Sequence, residues 1–291
     1  NGDGYADVIA GAYGYNAGTN QGRAYIYFGG SSMDNTADVT LLGGLAGDRF
    51  GLSVSNTGDV NGDGFGDVIV GAESYSGGTD QGRAYIYFGG DPMNNNSDVV
   101  LTGVSAGDQF GNSVSLAGDM NGDGLSDVIV GAKGYNSFQG RAYVFFGGIS
   151  MNSVVDVTLT GVSSGDQFGS SVSSVRDMNG DGFDDVIVGA ALVNRAYIYF
   201  GGRSVNNTAD LNYSGDLSGE NFGNSVSEAG DVNGDGLGDL IVGAKNSDAG
   251  GLNAGKAYLY FSSSPVVNPR IVSVKDVPFD QGGKVKLKWI R

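Results

Sequence analysis

The sequence predicts an all-β chain: a β-propeller of about five four-stranded blades, followed by the first strands of a β-sandwich domain. Three observations predict it. A nine-residue acidic motif recurs, complete as DVNGDGFGD, DMNGDGLSD, DMNGDGFDD and DVNGDGLGD from Asp59, Asp119, Asp177 and Asp231, and in part as NGDGYAD at Asn1. Successive complete copies start 60, 58 and 54 residues apart, the size of one supersecondary unit in a stacked or closed array. Between them lie short runs rich in Val, Ile, Tyr and Phe, bounded by Gly, Asn, Asp and Ser, and no stretch keeps a helical apolar period for long.

Each unit repeats four such runs in one order. Around the Asp59 copy they read FGLSVSNTG (50–58), DVIVGA (67–72), GRAYIYFGG (82–90) and DVVLTG (98–103). β-Branched and aromatic residues suit a pleated, half-buried surface, and four short strands joined by tight Gly-rich turns form a propeller blade. Gly supplies 54 of 291 residues, but it recurs at fixed turn positions, so it punctuates strands rather than marking a low-complexity linker. The propeller is assigned to residues 1–262. Its first unit lacks the innermost strand and half of the acidic loop, and its last shows no clear fourth strand.

The acidic motif has the composition of a calcium loop. Oxygen side chains at positions 1, 3, 5 and 9, with a Gly at position 6 that permits a sharp turn, are what a hard divalent cation such as Ca²⁺ needs from one short segment. The candidate ligands are Asp59, Asn61, Asp63 and Asp67; Asp119, Asn121, Asp123 and Asp127; Asp177, Asn179, Asp181 and Asp185; and Asp231, Asn233, Asp235 and Asp239. The partial copy offers Asn1, Asp3 and Asp7, so four full sites and one weak or absent site are expected. An EF-hand loop would need a bidentate acid at position 12 and a helix after it. Position 12 is instead Val70, Val130, Val188 or Val242, inside an apolar run. Asn-Gly and Asp-Gly also make good hairpin turns, yet a turn alone does not require Asp at both ends of every complete copy.

Charge bears on function. The net charge is −16, and the three candidate-ligand Asp of each complete loop, with Asp3 and Asp7, make up 14 of the 32 acidic residues. Five bound Ca²⁺ would bring the charge near −6; without metal the loop carboxylates repel one another at close range. The acidity argues against nucleic acid or an anionic membrane surface as partner. Cys and His are both absent, which removes disulfides, thiol nucleophiles, imidazole-liganded zinc and the base of a serine triad. No apolar run approaches 18 residues, so direct membrane insertion is not expected. Calcium loops of low affinity are filled where the ion is millimolar, which places the chain outside the cell.

Phe-Gly opens a strand at Phe50, Phe110, Phe168 and Phe222, the acidic loop follows, and Val-Gly-Ala then centres on Gly71, Gly131, Gly189 and Gly243. Over about residues 1–262 this order resembles the FG-GAP repeat of integrin α-subunit propellers. The resemblance implies a propeller with calcium in the loops joining the first and second strands of each blade. It adds the position-7 carbonyls of Tyr5, Phe65, Leu125, Phe183 and Leu237 to the metal ligands. The Pro that closes the family's GAP triplet is replaced by Tyr13, Glu73, Lys133, Ala191 and Lys245, a divergent version of the repeat. Integrin-like propellers have seven blades, so the five units here are expected to belong to a larger propeller.

Residues 263–291 differ in composition, with three of the four Pro and a run, KVKLKW, that alternates charged and apolar residues like a half-buried strand. They are assigned as linker and truncated start of an immunoglobulin-like or fibronectin-type domain. Further domains of the same chain are expected on both sides of the propeller.

A ligand is expected on the face opposite the calcium loops, built from the connections between second and third strands and between blades. Tyr15, Tyr75 and Tyr135 hold matching places there and could stack on a sugar, grip a protein or pack over blade edges. Asp48, Asp108, Asp166 and Glu220, just before each Phe-Gly, recur in every unit and are expected to cap turns; Arg23, Arg83, Arg141, Arg195 and Lys256 are expected to tie blades together. A catalytic set should break the repeat. Asp184 and Glu228 do, without an evident partner, so no catalytic residue is assigned. The sequence thus favours a non-enzymatic extracellular adhesion or interaction propeller with a protein or glycan ligand. A calcium-dependent lectin and an accessory module of a secreted enzyme remain as alternatives.

Overall fold

The four apolar runs of each repeat, bounded by Gly, Asn or Asp, form the strands. The computed structural model describes residues 1–16, 19–75, 79–252 and 254–262, and the backbone of 271–276 and 285–287. The first sheet is β1 (Val8–Ala12), β2 (Arg23–Tyr27) and β3 (Val39–Leu42). The second is β4 (Val54–Gly58), β5 (Asp67–Ala72), β6 (Arg83–Tyr87) and β7 (Val99–Thr102). The third is β8 (Phe110–Gly118), β9 (Asp127–Ala132), β10 (Arg141–Phe145) and β11 (Val157–Thr160). The fourth is β12 (Phe168–Arg176), β13 (Asp185–Ala190), β14 (Arg195–Tyr199) and β15 (Leu211–Ser214). The fifth opens with β16 (Phe222–Gly230), β17 (Asp239–Ala244) and β18 (Lys256–Tyr260).

The pairings between these strands are antiparallel and between chain neighbours, as in the blades of a β-propeller. Among the described residues the first sheet holds three strands, in the order β1-β2-β3. The fourth place in the last sheet, for which the sequence offers no strand before Phe261, is taken by β19 (Ile271–Asp276), which pairs with β18, and β20 (Val285–Leu287) follows it. Both strands come from the tail assigned to a separate sandwich domain, and β20 lies within KVKLKW. The open edge of β18 presents unpaired N–H and C=O groups, which explains why an alternating segment adds there. The rest of residues 263–291 lies outside the described residues.

Blades meet through the Phe-Gly motif. Phe50, Phe110, Phe168 and Phe222 are fully buried. Phe110 packs edge-on to Phe145 and against Tyr143 of its own blade, and also against Ala84, Ile86 and Leu101 of the blade before. Burying one such ring stabilises by roughly 1.5–3 kcal/mol. The Gly after each Phe lies on the Gly of Val-Gly-Ala in the preceding blade. A Cβ on Gly71, Gly131 or Gly189 would overlap the carbonyl oxygen of Gly111, Gly169 or Gly223. A hydroxyl adds direction to this contact: Ser53, Ser113 and Ser171 Oγ accept the N–H of Val114, Val172 and Val226 in the following blade, at 3.0–3.1 Å.

Two further side chains join blades. Glu73, buried where the family has Pro, takes Arg49 and Lys133 on its two oxygens at 2.9 Å each, and Lys133 lies in the next blade. Asn112 accepts the Lys133 N–H and donates to the carbonyls of Gly169 and Ser170.

Gly131→Ala is therefore expected to lower the melting temperature by roughly 3–10 °C. Gly14→Ala, where a Cβ meets nothing, should change stability by less than about 0.5 kcal/mol. Thermal unfolding of the two variants checks the contact, and equal melting temperatures would refute it.

Candidate metal centre

Each acidic loop joins the first and second strands of a blade and folds around its own carboxylates. In the second blade Asp59 Oδ1 accepts the N–H of Gly62 at 2.7 Å and Oδ2 that of Gly64 at 2.8 Å. Asn61 Oδ1 accepts Asp63 N–H and Asp63 Oδ1 accepts Phe65 N–H, both at 2.9 Å. Gly62 and Gly64 sit at φ 78° and 89°, a conformation that costs any other residue strain. The same bonds recur around Asp119, Asp177 and Asp231.

Position 9 behaves differently from positions 1, 3 and 5. Asp67 is buried, with Oδ2 on Val60 N–H at 2.9 Å and Oδ1 on Gly89 N–H at 2.8 Å, so it straps the loop to the end of the third strand. Asp127 holds Met120 and Gly147, Asp185 holds Met178 and Gly201, and Asp239 holds Val232 and Ser262 in the same way. Burial pushes the Asp67 carboxyl up to about 6, and those of Asp127 and Asp185 up to about 7; the position 5 and position 1 carboxylates add to the rise, and the backbone N–H groups oppose it. Asp239 is shifted in the same direction.

Among the described residues no three acidic side chains converge as a ready metal cluster. The Asn61 amide instead donates to Asp63 Oδ2 at 2.8 Å, and Asn121, Asn179 and Asn233 do likewise. The donor chemistry nevertheless fits a hard cation. Three carboxylates, an amide oxygen and a backbone carbonyl fall within nine residues, each carboxylate has lone pairs beyond those its N–H partners use, and a divalent charge would offset their repulsion. The partial copy keeps the local turns, with Asn1 Oδ1 on Asp3 N–H and Asp3 Oδ1 on Tyr5 N–H. Asp7 takes Gly29 N–H and the Asn1 ammonium, each within 2.9 Å.

The loops also reach the next blade. Position 7 covers the position 4 glycine of the preceding loop, Phe65 over Gly2, Leu125 over Gly62, Phe183 over Gly122 and Leu237 over Gly180. Asp184, which has no partner evident from the repeat, accepts Asp119 N–H of the preceding loop at 2.8 Å, and Glu228 pairs with Arg176 of the preceding blade at 2.6 Å. Both are ties between blades, legible only once neighbouring loops are known to touch.

On the opposite face, Tyr15, Tyr75 and Tyr135 each lie under a guanidinium of their own blade. Arg23, Arg83 and Arg141 stand 3.6 Å above the ring centroids, a cation–π contact worth about 0.5–2 kcal/mol. These Arg side chains therefore brace a loop within a blade, where the sequence suggested a tie between blades. The acids before each Phe-Gly cap turns as expected: Asp48, Asp108 and Asp166 accept the N–H of Leu45, Ser105 and Ser163 at 2.7–2.8 Å. The longer Glu220 also reaches the Tyr258 hydroxyl at 2.8 Å.

A family model, described as FG-GAP repeat, matches residues 1–27, 50–87, 110–145, 168–207 and 222–260. The chain belongs to the FG-GAP repeat family. Each matched FG-GAP segment from residue 50 onward starts at the Phe that plugs a blade interface and runs through the acidic loop into the third strand. Curated relatives of this FG-GAP chain include Integrin alpha-5 of Xenopus laevis, 31% identical over 211 residues, which is 67% of this chain and 20% of that protein. Integrin alpha-PS5 of Drosophila melanogaster is 34% identical over 193 residues (62% and 18%), and Integrin alpha-IIb of Mus musculus is 34% identical over 164 residues (52% and 16%). The chain thus spans a fifth or less of these relatives' length.

Position 9 can be separated from the other loop acids by experiment. In chelator, Asp127→Ala leaves the N–H groups of Met120 and Gly147 without partners and should destabilise by about 2 kcal/mol or more. Asp123→Ala, at an exposed turn, should cost less than about 1 kcal/mol under the same conditions. Denaturant unfolding of both variants in EDTA reads the difference.

Proposed function

We propose that this chain is a non-enzymatic, extracellular adhesion or interaction propeller that holds Ca²⁺ in its strand 1 to strand 2 loops and meets its ligand on the opposite face. The observation that carries the reading is the fourfold recurrence of one oxygen-rich loop in one setting: same turn, same glycines, same buried Asp strapping it to the third strand. A repeated site with identical surroundings is structural in character, since a single catalytic centre needs a single set of residues. Kinship with integrin α-subunits supports an adhesive role at the cell surface. In this reading the ions are held by Asp59, Asn61, Asp63, the Phe65 carbonyl and Asp67, and by their counterparts from Asp119, Asp177 and Asp231. The chain's own residues pre-form the turn and supply the negative charge; the cation neutralises it and clamps the first two strands of each blade.

The ligand surface is read as the connections between second and third strands and between blades. Tyr15, Tyr75 and Tyr135 belong to it. One face of each ring is already taken by an arginine, which favours a broad contact with a protein over stacking of a sugar between open aromatic faces. Among the described residues no helix is long and apolar enough to cross a membrane.

Calorimetric titration of the chelated chain is expected to show four Ca²⁺ sites. Saturation at a hundred times the dissociation constant should add about 2.7 kcal/mol per site to stability. A melting curve that EDTA leaves unchanged would sink the calcium reading.

A further inference from the structure

We propose that the fourth blade carries a ligand site of its own on the face opposite the acidic loops, where the guanidinium of Arg195, rimmed by Leu192, Val193 and Leu217, takes an acidic side chain flanked by apolar residues of a protein partner. The site rests on the reading that a ligand meets this face, and it gives that ligand a chemistry. The repeat breaks here. The connection between β13 and β14 has four residues (191–194), where the first three blades have ten (13–22), ten (73–82) and eight (133–140). The tyrosine goes with the missing length. Arg23, Arg83 and Arg141 are half-buried, each 3.6 Å over the ring of Tyr15, Tyr75 or Tyr135, whereas Arg195 is exposed. Among the described residues its guanidinium has no ion pair, ring contact or hydrogen bond.

The short turn is fixed in place. Ala191–Val193 forms one 3-10 turn, and Asn194 follows in the left-handed region at φ 61°, which Asn tolerates better than most residues. Asn194 Oδ1 accepts the Phe222 N–H and its Nδ2 donates to the Leu217 carbonyl, both at 2.8 Å. Leu217 is thereby held beside the turn that carries Leu192 and Val193, and the three side chains are left 48%, 54% and 38% exposed. A cluster ordered in advance loses little freedom on binding. The carboxylates of the same connection are committed: Asp216 pairs with Lys256, and Glu220 is buried on the Tyr258 hydroxyl. Arg195 therefore offers an unopposed planar fork of N–H donors, which matches a carboxylate. One such cation in a chain of net charge −16 suits a carboxylate better than a phosphate, whose second charge calls for further basic groups. The aliphatic rim gives a sugar no side-chain hydrogen bonds and gives Leu, Ile or Val beside the acid a surface to cover.

The probe is acetyl-Leu-Glu-Leu-amide, titrated into the full chain in millimolar Ca²⁺ at physiological ionic strength and followed by NMR of the arginine Nε–H and backbone amide signals. Saturable shifts are expected at the Arg195 Nε–H and at the amides of residues 191–195 and 217. Acetyl-Leu-Gln-Leu-amide and acetyl-Gly-Glu-Gly-amide should each bind roughly tenfold more weakly, the first for want of charge and the second for want of apolar contact. Arg195→Gln should weaken binding of the Glu peptide by roughly tenfold, and Leu192→Ser should weaken it by about threefold or more. Both side chains are exposed, so melting temperatures should stay within a few degrees. No saturable shift, equal binding of the Gln peptide, or glucuronate binding as tightly as the Glu peptide would overturn the proposal. Shifts confined to the loops of Tyr15, Tyr75 and Tyr135 would overturn this site and leave the ligand face standing; shifts confined to the acidic loops would overturn both.

Discussion

The second strand of one blade and the inner strand of the next meet backbone to backbone, because both residues at the contact are glycine. Gly71 lies on the carbonyl of Gly111, Gly131 on Gly169 and Gly189 on Gly223. That approach sets the distance at which every other contact between blades forms. At that distance Ser53, Ser113 and Ser171 reach the next strand's N–H, and each Phe of the Phe-Gly pair fills the wedge between two sheets. A methyl group at any of these glycines would push two sheets apart and loosen the whole set. The motif is thus a packing requirement written twice, once on each side of an interface.

The acidic loop combines two kinds of carboxylate. Those at position 5 are exposed, those at position 1 are half-buried in three of the four complete loops, and both are folded onto N–H groups of their own loop, where they hold the turn in shape. The carboxylate at position 9 is buried and spans two strands, and burial together with its neighbours' charge raises its affinity for a proton. Burying a charge without an ion partner is costly. The backbone N–H groups offset part of that cost in Asp67, Asp127 and Asp185, and a bound cation would offset more. In this way one residue serves the sheet and the proposed metal together.

Much of the fold is legible in the sequence because the pattern repeats. Alternating apolar runs, turn residues and the acidic motif each recur in register, and four blades plus a partial one follow. The turn-capping acids before each Phe-Gly are legible for the same reason. What a single chain does not display is which repeats touch. Asp184, Glu228, Glu73 and Asn112 all act across a blade boundary, and the first three are departures from the repeat that make sense only beside their neighbours. The arginines were misplaced by the same blindness in the other direction, since their Tyr partners lie in the same blade on a loop of variable length. β19 and β20 come from a segment whose composition points away from the propeller, yet an open strand edge accepts any compatible backbone.

Position 2 of the loop shows how unevenly a blade's boundary is drawn. Val60 and Met120 belong by chain order to one repeat but spend their surface inside the next, whereas Val232 is 49% exposed. The unit that recurs in the text is therefore out of phase with the unit that packs. Anyone exchanging repeats between related proteins would cut through a shared core at most points of the chain. The connection between third and fourth strands, exposed over residues 31–36 and 206–208, is the seam where modules could be traded with the least disturbance, and lineages that shuffle such repeats have reason to have broken them there.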